Sequence, residues 1–549
     1  MIQTIVGIDD IPDEVLIQIF DRSEVPTSTL LNLALSSKRL HYFCLPLYFA
    51  RFEIFDPLEH CEFVLNSPQD TPGSLDALTG LKVALFIPSV KRLVCRLQLP
   101  GDVEDFLYAA MHMRRLYDFI STLSTINTVT LQFGSKRCGC CSELDPGMTL
   151  DGHLLEWSNA LGSVLNTILE KSCRTLVISG GRFMMHSYCL KGARKIRKQE
   201  SLLTPFKRLL RKTKFARLGL SNSYAWINVL QGDTWEYRRA RDTGKAVVLT
   251  PMTHTAKSAS SLRSLTIQSM MFAVPPVLHW TISILRLPTT QALRLKNFNL
   301  PRKAWPVFLF LIADNSPQLI SLRLSGIHHL NAIDILHFIG RFPNLETLHI
   351  ARSVNSYDNS NLGPFPKLAH LKSLHAPASW ISKLLSSQSS AIPSLESISI
   401  DYNLRNDNLF DWLETPSRPT SIPTMLKELF RPSLTVSLKV HLGRNPGWAL
   451  LEDFNRFDAN EPPDQLKCVS RLTLFVDQRL RPNEMALSTI LPQWIDRFSE
   501  LRHLGLKSNI LILSNDDAVE LANHIIRRSR LPLLKTFEVN GEDIMSTPR

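Results

Sequence analysis

One unit recurs through the second half of the chain and limits the folds open to it: Leu-x-x-Leu-x-Leu or Ile. It reads Leu262-Leu265-Ile267, Leu319-Leu322-Leu324, Leu345-Leu348-Ile350, Leu371-Leu374-Ala376 and Leu395-Ile398-Ile400. It returns as Val469-Leu472-Leu474, Leu501-Leu504-Leu506 and Leu534-Phe537-Val539, with looser copies at Thr290 (Leu293, Leu295) and Thr435 (Leu438, Val440). Alternating apolar residues place two side chains on one face of a short strand, and the Leu three residues earlier turns into the same core. Pro317, Pro343, Pro393 and Pro532 stand just ahead of four copies, where proline stops a helix and starts an extended segment. Between strands the period changes: "NAIDILHFIGRF" sets Ile333, Leu336 and Ile339 on one side of a helix. A strand–loop–helix unit this small buries its apolar face only by stacking on its neighbours.

From 262 the copies start at 262, 290, 319, 345, 371 and 395, in steps of 28, 29, 26, 26 and 24 residues, a period that resembles leucine-rich repeats. The next starts, 435, 469, 501 and 534, lie 40, 34, 32 and 33 residues apart, which reads as inserted loops. Before 262 the template is fainter: "VCRLQL" from Val94, then "INTVTL", "CRTLVI" and "FARLGL" from Ile126, Cys173 and Phe215. These read as irregular repeats with long insertions over residues 51–260; an independent domain is the other reading of that region. Residues 261–549 form the more regular array.

Ahead of the array stands "GIDDIPDEVLIQIFDRSEVPTSTLLNLALSSKRLHYF", Gly7 to Phe43. Pro12 suits a first helical turn, and Asp13 and Glu14 suit the positive end of the helix dipole. Val15 with Ile19 and Leu16 with Phe20 are i,i+4 pairs. A second helix starts near Ser28 and is apolar on most sides through Leu30, Leu31, Leu33, Ala34 and Leu35. A third runs through Pro46 into a strand-like Phe52-Glu53-Ile54. Some forty residues cannot cover so apolar a helix from within, so the repeats or another protein must do so.

In order and spacing this segment resembles an F-box, and an F-box followed by diverged leucine-rich repeats is similar to many fungal F-box proteins. The motif is carried by Ile11, Pro12, Glu14, Val15, Leu16, Ile19 and Phe20, then Leu30 or Leu31, Leu33, Ala34, Leu35, Ser36, Ser37, Lys38 and Arg39. Ile11 replaces the usual Leu, and Leu40 stands where an aromatic is common. The resemblance implies an α/β chain: a three-helix F-box over 1–50 followed by a leucine-rich-repeat solenoid, a curved parallel sheet with outer helices. It implies a substrate-recognition subunit of a Skp–cullin–F-box ubiquitin ligase. The residues it assigns to a Skp-type adaptor, and through it to a cullin, are Ile11, Pro12, Glu14, Val15, Leu16, Ile19, Phe20, Leu30, Leu31, Leu35, Lys38 and Arg39. The alternative is a non-ligase leucine-rich-repeat scaffold whose helices only cap the array.

In such a solenoid the residue between the last two apolar positions points off the strand face. Arg294, Arg323, His349, His375 and Lys439 occupy that position, with Lys296 nearby, and Arg471, His503 and Lys507 share the face if the register holds. A face lined this way favours a protein target carrying acidic or phosphorylated residues; the plainer account is that exposed strand positions are polar in any soluble solenoid.

The net charge of +12 is concentrated: Lys191 to Arg217 holds eleven Lys or Arg and one acid, Glu200, a local +10. That weighs against nucleic acid as a partner of the whole chain, and a solvated face explains the segment. Nine cysteines are scattered, and the cluster Cys138, Cys140 and Cys141 lacks a second spaced pair for zinc, so no metal and no cofactor is expected. No catalytic motif stands in its required context, which points away from an enzyme. The longest apolar run is broken by Pro275 and Pro276 and carries His279, and the first ten residues lack a signal-peptide core, so no membrane partner is expected. We expect the chain in the cytoplasm, the nucleus or both.

Overall fold

A computed structural model describes residues 11–22, 25–66, 75–98, 105–134, 150–181, 188–190, 235–237, 260–273, 277–298, 300, 305–327, 330, 332–351, 367–377, 380–381, 392–403, 434–442, 467–476, 485–508 and 515–545. The basic stretch 191–217, the "FARLGL" copy and Cys138, Cys140 and Cys141 lie outside these residues. The chain divides into two compact units, Met1–Ser316 and Pro317–Arg549.

The first unit opens with three helices, α1 (Asp13–Arg22), α2 (Thr27–Ser36) and α3 (Lys38–Ala50). Ser37 caps α3 by accepting the Leu40 N–H at 3.1 Å. Pro46 lies inside α3 without ending it, and the chain turns at Glu53 in the left-handed region, φ 60°, so Phe52–Ile54 forms a turn and not a strand. Leu16, Leu30, Leu31, Leu40, Leu45, Tyr48 and Phe49 are buried among these helices and the elements next to them in the chain.

Six strands make the unit's main sheet: β1 (His60–Asn66), β2 (Ser89–Gln98), β3 (Thr125–Phe133), β4 (Thr175–Gly180), β7 (Ser264–Gln268) and β8 (Ala292–Lys296). Each pairs in parallel with the next. A separate antiparallel pair joins β5 (Tyr188–Leu190) to β6 (Trp235–Tyr237). Helices α4 (Ala77–Val83), α5 (Asp105–Thr122), α6 (Leu150–Glu170), α7 (Leu278–Leu285) and α8 (Trp305–Asn315) connect the strands. The alternation written in the sequence appears as burial: Ile126, Val129, Leu131 and Phe133 of β3 point under the helices, where Phe133 meets Trp157 of α6. The Trp280 indole N–H donates to the Asn166 carboxamide at 3.0 Å and ties α7 to α6. Cys44, Cys61, Cys95 and Cys173 are free and buried, and burial pushes the Cys61 and Cys173 thiols up to about 12, which keeps them protonated and unreactive.

The second unit repeats the plan with β9 (Ser321–Ser325), β10 (Thr347–Ile350), β11 (Ser373–Pro377), β12 (Ser397–Asn403), β13 (Thr435–Leu442), β14 (Val469–Val476), β15 (His503–Ser508) and β16 (Thr536–Val539). All pair in parallel in chain order, and the two-residue β17 (Glu542–Asp543) closes the array antiparallel to β16. Helices α9 (Ala332–Ile339), α10 (Met485–Ile495) and α11 (Asn515–Arg528) belong to this unit. Every Leu-x-Leu or equivalent pair from β9 to β15 is buried, while the residues between them lie on the opposite face, exposed or half-buried except Gly505, which is buried.

The three N-terminal helices are fastened to the first sheet by polar contacts. Buried His41 hydrogen-bonds the Ala34 carbonyl through Nδ1 at 3.1 Å and accepts the Leu85 N–H at Nε2, 3.1 Å, so the proton sits on Nδ1. Tyr48 Oη donates to the Asp76 carbonyl at 2.7 Å. Asp76 caps α4 through the Thr79 N–H at 3.0 Å and takes both Arg115 guanidinium nitrogens, at 2.8 and 2.6 Å. The Tyr48 ring lies where a side chain on Gly80 would be: a Cβ there would stand 2.5 Å from Cε1.

Because Asp76 serves a cap and a two-pronged ion pair, Asp76→Ala should lower stability by about 2 kcal/mol. Asp76→Asn, which keeps the cap, should cost about half as much. Denaturant unfolding of the full chain measures both, and equal losses would contradict the assignment.

Candidate functional site

Two surfaces carry the residues singled out above. The first is the three-helix end. Leu16, Phe20, Leu30 and Leu31 turn inward, none more than 7% exposed. Val15, Ile19 and Leu35 turn outward at 43%, 47% and 58%, with Ile17 and Tyr42 also exposed. The i,i+4 pairs of α1 thus split: Leu16–Phe20 binds the helix to its own chain, and Val15–Ile19 lies on the surface. Pro12, Glu14 and Lys38 are exposed, while Ile11 and Arg39 are half-buried. The Arg39 guanidinium donates to Asp13, through Nε at 2.9 Å, and to the Ile11 carbonyl, pinning the start of α1 against α3. The loop before β2 adds exposed Leu85, bonded to His41 through its N–H, and Phe86, whose ring lies 5.8 Å from Tyr42.

The second surface is the open sheet face. Arg294 and Lys296 lie on β8 of the first unit, both exposed, with Arg294 opposite Thr266. Arg323, His349, His375 and Lys439 lie in the second unit. There Arg323, His349 and His375 are aligned across β9, β10 and β11, and the two imidazoles stack with centroids 3.9 Å apart and planes 5° apart. Lys439 is not in that row. Ser399 pairs with Ser437, and Lys439 pairs with Asp401, one step further along the strands. Buried Leu434, not exposed Thr435, is the first inward residue of this copy, and Val436 and Leu438, not Leu438 and Val440, pair with Ile398 and Ile400. A slip of two residues keeps the face and changes the neighbours. One row therefore runs Arg323, His349, His375, Ser399, Ser437, Arg471, His503 and Thr536, and the next contains Asp401, Lys439, Thr473, Gly505 and Glu538.

A polar network crosses the rows. His375 Nε2 meets Asp401 Oδ2 at 2.8 Å, and the Lys439 ammonium donates to His375 Nδ1 at 3.1 Å. A ring nitrogen that accepts from an ammonium carries no proton, so Nε2–H is the donor to Asp401. Burial chiefly, and then the neighbouring His375, Arg323 and Lys439, push His349 down from 6.5 to about 3, against the opposing pull of Asp401. His349 is therefore neutral at physiological pH. Burial alone would raise Asp401, but the hydrogen bond from His375 and the electrostatic pull of His375, Lys439 and His441 outweigh it and hold the carboxyl below its usual range. Burial, with Lys507 and Arg323, lowers Lys439 despite Asp401. The repeat template does not pick out Asp401, because it follows the last Leu-type position; β12 simply runs past that position. Among the described residues no group of three His, Cys, Asp or Glu gathers to hold a metal, and no helix is long and apolar enough to cross a membrane.

A family model described as F-box-like matches residues 8–52, the stretch that holds α1, α2 and α3. A comparison with curated proteins found no match.

Between pH 6.5 and about 3 the unfolded chain binds a proton at position 349 that the folded chain refuses, so His349 lowers stability as pH falls through that window. Asp401 contributes undiminished until pH falls below its ordinary 3.8. His349→Phe keeps a flat ring over His375 and removes the proton site. The stability of wild type minus variant should therefore fall between about pH 7 and about pH 5, as read by urea midpoints; a constant difference contradicts a neutral His349.

Proposed function

We propose that the chain is the substrate-recognition subunit of a Skp–cullin–F-box ubiquitin ligase. Its three-helix end docks on a Skp-type adaptor, which brings a cullin, and its leucine-rich-repeat face holds a target protein. The carrying observation is the division of α1 and α2: Leu16, Phe20, Leu30 and Leu31 face the chain's own core, while Val15, Ile19 and Leu35 face outward. A helix with apolar residues on its outer side is stable in water at a cost that a partner's apolar surface removes. The F-box-like match over residues 8–52 gives that partner its class. The chain itself supplies grip and placement in this reading, and acceleration comes from holding a target lysine near the conjugating enzyme.

The alternative, helices that merely cap the repeats, accounts for the inward half of α1 and α2 and for the His41 and Tyr48 contacts. It gives no role to the outward half.

Val15→Asp with Ile19→Asp should weaken capture of a Skp-type adaptor by the full chain more than about tenfold, with unfolding unchanged. Leu16→Ala should instead destabilise the chain by about 3 kcal/mol. Adaptor capture indifferent to the double variant would overturn the proposal.

A further inference from the structure

Among the described residues, the open face of the second unit has one strand position without a side chain. Gly505 sits in mid-strand on β15, flanked in its row by Thr473 of β14 and Glu538 of β16. On its own strand its outward neighbours are His503 and Lys507, and Arg471 and Phe475 stand diagonally on β14. A glycine inside a strand weakens it and commonly marks a place where another group approaches closely. Here close packing does not require it. The three nearest atoms that a Cβ would meet all belong to Thr473, at 3.4 to 3.8 Å, which is ordinary contact, and its φ is not in the left-handed region. The sheet would accept alanine, so the missing side chain leaves a narrow notch, its backbone buried between the flanking side chains, that the fold does not itself demand.

Cations border that notch on one side. Arg471 and Lys507 are exposed and form no ion pair among the described residues. Lys439, beside Thr473 in the notch's row, is held by the His375–Asp401 pair, which fixes its ammonium on the face. Lys507 and Arg323 both act on Lys439 by repulsion, so the positive charges are close enough to oppose one another. Like charges gathered closely cost stability, and an anion lowers that cost. Phe475, stacked on His441 at 4.7 Å with planes 12° apart, makes a flat apolar wall. Glu538 is the acid beside the notch, which sets the anion toward β14 and away from β16.

We propose that the Gly505 notch, bordered by Arg471, Thr473, Lys507 and Lys439, seats one anionic side chain of a target protein. The recognised chemistry is an oxyanion, from a phosphorylated residue or a carboxylate. The Arg471 guanidinium, the two ammonium groups and the Thr473 hydroxyl donate to its oxygens, and the missing side chain leaves room for them between the flanking residues. His349, being neutral, adds no charge. This rests on the reading of the repeat face as the target-holding surface, and it does not depend on the adaptor.

The test uses the full chain purified with a Skp-type adaptor, and three fluorescein-labelled peptide pools of degenerate flanks with phosphoserine, glutamate or serine at the centre. Fluorescence anisotropy at fixed salt should show the phosphoserine pool, the glutamate pool or both binding at least about tenfold tighter than serine, and the ratio names the source of the oxyanion. Arg471→Glu and Lys507→Glu should each remove the preference. Gly505→Leu should abolish it without lowering the unfolding transition, and Gly505→Ala should weaken it. Equal binding of all three pools overturns the site. So does a preference that survives Gly505→Leu, which would mean diffuse adsorption to a basic face. Adaptor capture, run in parallel, should be untouched by all four variants; its absence in wild type would count against the ligase reading and leave the notch standing.

Discussion

Everything in this molecule depends on strands that cannot bury their leucines alone. A four- or five-residue strand such as β10 or β9 covers two apolar side chains, and these are sealed only because the next strand lies in register beside them. Leu322, Leu348, Leu374 and Ile398 form one continuous apolar row in this way, each with no measurable exposure. The same register that stacks the leucines on one side stacks the intervening residues on the other. The His349–His375 pair and the His441–Phe475 pair are consequences of that rule, since parallel strands place equivalent side chains less than about 5 Å apart.

The rule also decides how much of the fold is legible in the sequence. The unit Leu-x-x-Leu-x-Leu places residues by a strict alternation, so the strands at 264–268, 292–296, 321–325 and onward fall where the pattern puts them. The inward–outward assignment along each strand is legible for the same reason. Lateral neighbours are not, where a copy carries a substitute at its first position. The template counts this copy from Thr435, two residues late in the paired register, and so sets Lys439 beside Ser399 when its true neighbour is Asp401. Strand β1 escapes the template because its buried residues, Cys61, Phe63 and Leu65, follow the alternation without the repeat's spacing. The division of α1 into an inner and an outer apolar edge is equally hidden. Val15 and Leu16 are alike in hydrophobicity, and only the position of α3 separates them.

The three-helix end and the first sheet are joined by a different chemistry from the one that builds each. His41, Tyr48, Asp76 and Arg115 are polar groups at a crowded junction, and each satisfies a backbone or side-chain partner. Such contacts are directional, so they fix an angle where apolar packing alone would tolerate sliding. The three helices therefore hold a set orientation on the first sheet behind them.

The most direct measurement is photo-crosslinking in a reconstituted mixture of the full chain and a Skp-type adaptor. A photoreactive amino acid is placed singly at Val15, Leu35, Leu16 or Leu30. The account predicts adaptor crosslinks from positions 15 and 35 and none from 16 and 30, whose side chains lie inside the chain. Silence at 15 and 35, with the adaptor bound elsewhere or not at all, would contradict it.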